Sequence, residues 1–95
     1  MKILIADDHA MMRYGLRQYI SLEFPDAEVL EAETTQEIIS LLQESNGEVE
    51  FLITDISMNG ASGLDVLPFI KARYPELLVL VMSMHPEEHY AIRAI

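Results

Sequence analysis

Three apolar runs in this chain each stop on a residue suited to phosphate or metal. Ile3-Leu4-Ile5-Ala6 ends at Asp7-Asp8, residues 51–54 end at Asp55, and residues 77–82 end at Ser83. A run that is apolar at every position suits a strand buried on both faces, and such strands belong to parallel sheets covered by helices. The segments between the runs carry apolar residues at helical spacing and are long enough for the crossovers that parallel strands need. A parallel α/β sheet with helices on both faces follows. All three acidic or hydroxyl-bearing ends then open on one sheet edge, where open α/β sheets bind their ligands.

The helical segments have readable limits. Met12, Leu16, Tyr19 and Ile20 recur at helical spacing, and the pattern stops before Pro25, because a residue preceding proline avoids helical dihedrals. Residues 27–32 make a second, partly exposed strand, expected at an edge. Thr34 and Glu37 form a capping box for a helix carrying Ile38, Leu41 and Leu42, which ends near Asn46-Gly47. Residues 50–54 form the third strand, followed by a loop over 56–63. The next helix shows Leu67, Ile70 and Tyr74 and stops before Pro75; Pro68 belongs in its first turn or kinks it. After the fourth strand, Pro86, Glu87 and Glu88 suit the first turn of a final helix over 86–95 that holds Tyr90, Ala91, Ala94 and Ile95.

Composition narrows the function classes. Ninety-five residues, 51% hydrophobic, make one domain able to bury a real core. Sixteen acidic against six basic residues leave a net charge of −10, which repels phosphate backbones and disfavours nucleic-acid binding by this segment. The same charge attracts divalent cations or a basic protein face. No apolar stretch approaches the ~20 residues of a membrane span. With a strand-like run directly at the start no secretory signal is expected, and the absence of cysteine excludes disulfides and thiolate metal sites within this sequence. A cytoplasmic protein is expected.

Carboxylates gathered at one sheet edge repel one another unless a cation neutralises them. A hard divalent ion with oxygen ligands is the natural partner, and Mg2+ fits best because it accepts a few carboxylates and keeps several waters. Asp55, alone at its strand end beside a glycine-bearing loop, can act as a nucleophile and form an acyl phosphate. Ser83 can donate a hydrogen bond to a phosphoryl oxygen. Taken singly, each residue has a plainer reading: an aspartate caps a helix, Asp55 turns a loop, Ser83 enters a helix. A doublet leaves one carboxylate without a capping role, and the combination at three strand ends favours a site. His9 reads as a partly exposed residue at the start of the first helix, since Mg2+ prefers oxygen donors. His85 and His89 have zinc-compatible spacing but lack a third ligand. Gly60 and Gly63 serve loop conformation, because no nucleotide-binding glycine pattern is present.

With those residues in place, the chain resembles the receiver domain of two-component response regulators. Asp7-Asp8-His9 looks like the family's acidic doublet. Asp55, Met58 and Gly63 match the signature around its phosphorylated aspartate, and residues 82–88 look like the NarL/LuxR-type branch of transcription regulators. The resemblance implies a flavodoxin-like sheet, here four βα units in the order 2-1-3-4. It implies that Asp55 accepts a phosphoryl group from a sensor histidine kinase, and that Asp7, Asp8, Asp55 and the backbone carbonyl of Ser57 hold Mg2+. Ser83 becomes the switch hydroxyl.

Two departures from the pattern stand out. Asn59 replaces the usual proline after Met58, which loosens the loop without removing a ligand. The fifth strand with its phosphate-pairing lysine, the fifth helix and any DNA-binding output domain have no counterpart; Lys2 begins the first strand and Lys71 lies on the third helix. A fragment of a larger regulator is expected, self-associating through the bare apolar edge of the fourth strand or the face of the last helix. The competing readings are a docking module that works without phosphorylation, and a Mg2+-dependent phosphatase. Asp55-Ile56-Ser57 lacks the second acid two positions on that haloacid-dehalogenase-type phosphatases use. The expected activity is therefore that of a phosphoryl acceptor without turnover.

Overall fold

A computed structural model of the chain describes residues 1–55, 57–58, 61–84 and 90–94, with side chains described for 1–55 and 66–82. The elements run β1 (Lys2–Ala6), α1 (Ala10–Glu23), β2 (Glu28–Ala32), α2 (Thr35–Glu44), β3 (Phe51–Asp55), β4 (Ser57–Met58), β5 (Ala61–Ser62), α3 (Gly63–Arg73), β6 (Leu78–Met84) and β7 (Tyr90–Ala94). The main sheet has the order β2-β1-β3-β6-β7. Its first four strands are parallel, which is the expected 2-1-3-4 arrangement.

Alternation along β1 divides the core into two layers. Leu4 and Ala6 face α2 and α3 and join Ile38, Leu42, Leu52, Leu67, Ile70 and Val79 in the larger cluster. Ile3 and Ile5 point the other way and pack with Ile20 of α1, with Leu16, Val29 and Ile53 at the margin. Tyr19, expected on the apolar face of α1, is 62% exposed instead. It precedes Ile20 by one position, about 100° around a helix, so both cannot face the sheet squarely.

Local chemistry sets the helix limits. Thr34 accepts a hydrogen bond from the Glu37 N–H at 3.1 Å, while Glu37 Oε1 accepts from the Glu33 N–H at 2.6 Å. The box thus closes one residue further out than its usual form. Beyond α2 the backbone turns through Asn46 (φ 55°) and Gly47 (φ 82°), a left-handed pair that asparagine and glycine tolerate. Pro68 lies in the second turn of α3 and not the first, so the Leu64 carbonyl receives no hydrogen bond from position 68.

The C-terminal segment departs from the sequence-based expectation. Residues 90–94 form a strand, not the final helix; Pro86, Glu87, Glu88, His85 and His89 lie outside the described residues. This strand runs antiparallel to β6, with Leu80 opposite Ala94 and Ser83 opposite Ala91. The apolar β6 leaves a row of backbone donors and acceptors at its outer edge, and β7 satisfies them. The bare edge expected to drive self-association through the fourth strand is therefore covered by the chain itself. Residues 57–58 and 61–62 pair as a short antiparallel ladder inside what was read as a loop.

Candidate functional site

The register of β1, β3 and β6 builds the site. Ala6 pairs with Thr54 and Asp55 with Met82, so the segments after β1, at the end of β3 and near the end of β6 meet at one edge. Asp7 extends the ladder by one bond, from its N–H to the Ala32 carbonyl at 3.0 Å. Its side chain is only 1% exposed. The side chains of Asp8 and Asp55 are 17% and 14% exposed.

Asp7, Asp8, His9 and Asp55 each offer one donor atom, and these four atoms all lie within 4.8 Å of one another. Asp7 Oδ1 accepts from the His9 N–H at 2.8 Å and lies 2.9 Å from His9 Nδ1. Asp8 Oδ1 also lies 2.9 Å from Nδ1, and Asp55 Oδ2 lies 3.9 Å from it. The imidazole ring is 70% exposed, yet its Nδ1 is turned into the acidic cluster. The hydrogen bond to Asp7 and the negative charges of Asp8 and Asp7 raise the His9 pKa above 6.5, with a smaller contribution from Asp55.

The plainer reading does not account for both members of the doublet. His9, not an aspartate, is the N-cap residue of α1, and its own side chain makes no capping hydrogen bond. Asp7 takes the N–H of the N-cap residue, and Asp8 makes no capping hydrogen bond. Asp8 Oδ1 is buried and accepts no well-aligned hydrogen bond, although His9 Nδ1 faces it at 2.9 Å. Carboxylates this close together need positive charge facing them; a protonated His9 supplies part of it, and the oxygen-rich donor set suits a hard divalent ion.

Arg13 is a site residue that sequence reasoning missed. Its Nη1 donates to the Asp7 carbonyl at 2.6 Å, and its Nε donates to Glu31 at 3.0 Å. It thereby ties the turn after β1 to the end of β2. Its placement one helical turn beyond His9 was the available signal. Ser57 lies in β4 and Ser83 in β6, opposite Ala91, but their side chains are outside the description. Lys2 pairs with Glu28 and Glu48, and Lys71 donates to the Leu77 carbonyl, so both are committed away from the carboxylates. A groove of about 570 Å³ lined by Val49, Tyr74, Pro75 and Leu77 lies at the opposite edge of the sheet and contains none of the cluster.

Comparison with known proteins gives the setting for this geometry. The family described as "Response regulator receiver domain" matches residues 3–95. The transcriptional regulatory protein DegU of Brevibacillus brevis is 30% identical over 95 residues, covering 99% of this chain and 39% of DegU. The oxygen regulatory protein NreC of Staphylococcus haemolyticus is 33% identical, covering all of this chain and 43% of NreC. The chain thus spans about two-fifths of the length of these regulators. Among solved structures, the non-phosphorylated receiver domain of the Escherichia coli stress response regulator RcsB superposes with a TM-score of 0.76 at 28% identity. That match covers 92% of this chain and 67% of the RcsB domain. A receiver domain protein from Clostridium thermocellum gives 0.76 at 30% identity, over 90% of this chain and 67% of its own.

Proposed function

Because the chain belongs to the response-regulator receiver family, we propose that it is a phosphorylation-controlled switch in which Asp55 is the acceptor. An Asp55 carboxylate oxygen attacks the phosphorus of a phosphohistidine on a sensor kinase. The P–N bond breaks, an acyl phosphate forms, and the released imidazole takes up a proton. Asp7, Asp8, Asp55 and the Ser57 backbone carbonyl hold Mg2+, whose charge offsets that of the transferring phosphoryl group against an acidic cleft. Ser83 supplies the hydroxyl that turns to the phosphoryl group.

The observation that carries this reading is the convergence of Asp7, Asp8 and Asp55 at one sheet edge, with a buried Asp8 oxygen that accepts no well-aligned hydrogen bond. An acidic cleft without a cation would repel a phosphoryl donor, and a cleft with one would attract it. The chain takes and loses its own phosphoryl group rather than turning over a separate substrate. Its setting is the cytoplasm, within a longer transcriptional regulator of the DegU and NreC kind. No helix among the described residues is long and apolar enough to cross a membrane.

Incubation with Mg2+ and a small acyl-phosphate donor, followed by intact mass measurement, tests the proposal. One added phosphoryl group is expected, absent without Mg2+ and absent in Asp55→Asn. A folded chain that stays at its unmodified mass would refute acceptor chemistry here.

A further inference from the structure

Three carboxylates would serve Mg2+ without help, yet a fourth donor of a different chemical kind stands among them. An octahedral ion with ligands at about 2.1 Å puts adjacent donors about 3.0 Å apart and opposite donors about 4.2 Å apart. His9 Nδ1 lies 2.9 Å from both Asp7 Oδ1 and Asp8 Oδ1, and 3.9 Å from Asp55 Oδ2. It stands at adjacent spacing from two carboxylates and near opposite spacing from the third. The backbone enforces this approach: the His9 N–H donates to Asp7 and residue 9 is the N-cap of α1, so the ring starts from a fixed point. We propose that His9 Nδ1 is a fourth protein ligand that turns this acidic centre into a mixed nitrogen–oxygen site selective for first-row transition ions such as Co2+ and Ni2+ over Mg2+.

The inference rests on the cation-binding reading above and adds the selectivity. Imidazole nitrogen favours borderline ions and contributes little to Mg2+, which prefers oxygen and keeps its waters. Ligation would use the Nδ1 lone pair, with the ring proton on Nε2. Ligation would therefore exchange the Nδ1 hydrogen bond to Asp7 for the ion. The ring is largely exposed, so its outer side is open to solvent for that exchange.

The test is calorimetric titration of the untagged chain with Mg2+, Co2+ and Ni2+ at a single alkaline pH, so that proton competition is the same for every ion. His9→Ala is expected to weaken Co2+ and Ni2+ by about tenfold or more, the scale of effect seen when a group supporting a metal is removed, and to leave Mg2+ affinity essentially unchanged. Pulsed EPR of the Mn2+-loaded chain should show an imidazole nitrogen coupling, lost in His9→Ala and kept in His85→Ala/His89→Ala. Equal losses for Mg2+ and Co2+ in His9→Ala would mean a structural role and overturn the proposal, as would a nitrogen coupling that survives that change. If Asp8→Asn leaves the binding of every ion unaltered, the acidic centre is not the cation site and both readings fail together. Circular dichroism of each variant separates loss of a ligand from loss of the fold.

Discussion

His9 shows how one side chain responds to the company its strand end keeps. Its ring is largely exposed, but the hydrogen bond to Asp7 and the adjacent charges favour the imidazolium. The midpoint of its titration, followed by proton NMR of the ring, is expected above 6.5 in metal-free protein. Asp7→Asn should lower that midpoint, because the amide oxygen still accepts from the His9 N–H but carries no charge. A raised folded-state pKa means that the contribution of His9 to stability is fully present below 6.5 and is lost as pH rises through the folded value. An unchanged midpoint in Asp7→Asn would show that Asp8 alone holds the charge.

At the scale of elements, α1 is fastened to β2 by charge and α2 by its cap. Glu31 accepts from Arg13 at 3.0 Å and from Arg17 at 2.7 Å, and the Arg17 bond leads in holding its carboxyl below the ordinary value of 4.5. A lowered acid pKa stabilises the fold above 4.5, and that contribution disappears as pH falls through the folded value. Urea midpoints measured against pH should therefore show Glu31→Gln destabilised near neutrality, with the gap to the parent closing under acid conditions. Thr34→Ala removes the acceptor for the Glu37 N–H and should cost about 1 kcal/mol in the same assay. These features were readable in part. The Thr34/Glu37 box and the stops at Pro25, Asn46-Gly47 and Pro75 are local chemistry, whereas the pairing of Arg13 and Arg17 with Glu31 depends on how α1 lies over β2.

For the molecule as a whole, the sheet centre bears most of the stability. Leu52 is fully buried on β3 between β1 and β6, and Leu52→Ala should cost roughly 2–5 kcal/mol by denaturant unfolding. That is a large share of the ~5–15 kcal/mol stabilising a typical domain. At the sheet edge, Ile92→Pro removes a backbone donor from β7, where Ile92 stands opposite Met82. Hydrogen exchange should then rise in residues 80–84, while β1 and β3 keep their protection. Unchanged exchange there would mean that β7 does not depend on that ladder.

The amino-acid sequence by itself determined the alternation of strands and helices, the four parallel strands and the carboxylates at their ends. Each of those follows from periodicity or from a residue's own preference, which act over a few positions. Residues 90–94 show the limit: Tyr90, Ala91 and Ala94 fit a helical face, but the unpaired backbone edge of β6 offers a partner that local preference cannot register. His9 shows it again. Its type and position mark a helix start, but only β1 and β3 lying side by side bring Asp7, Asp8 and Asp55 around one ring nitrogen. Tertiary structure decided both, because hydrogen-bond satisfaction and electrostatic fields act through space rather than along the chain.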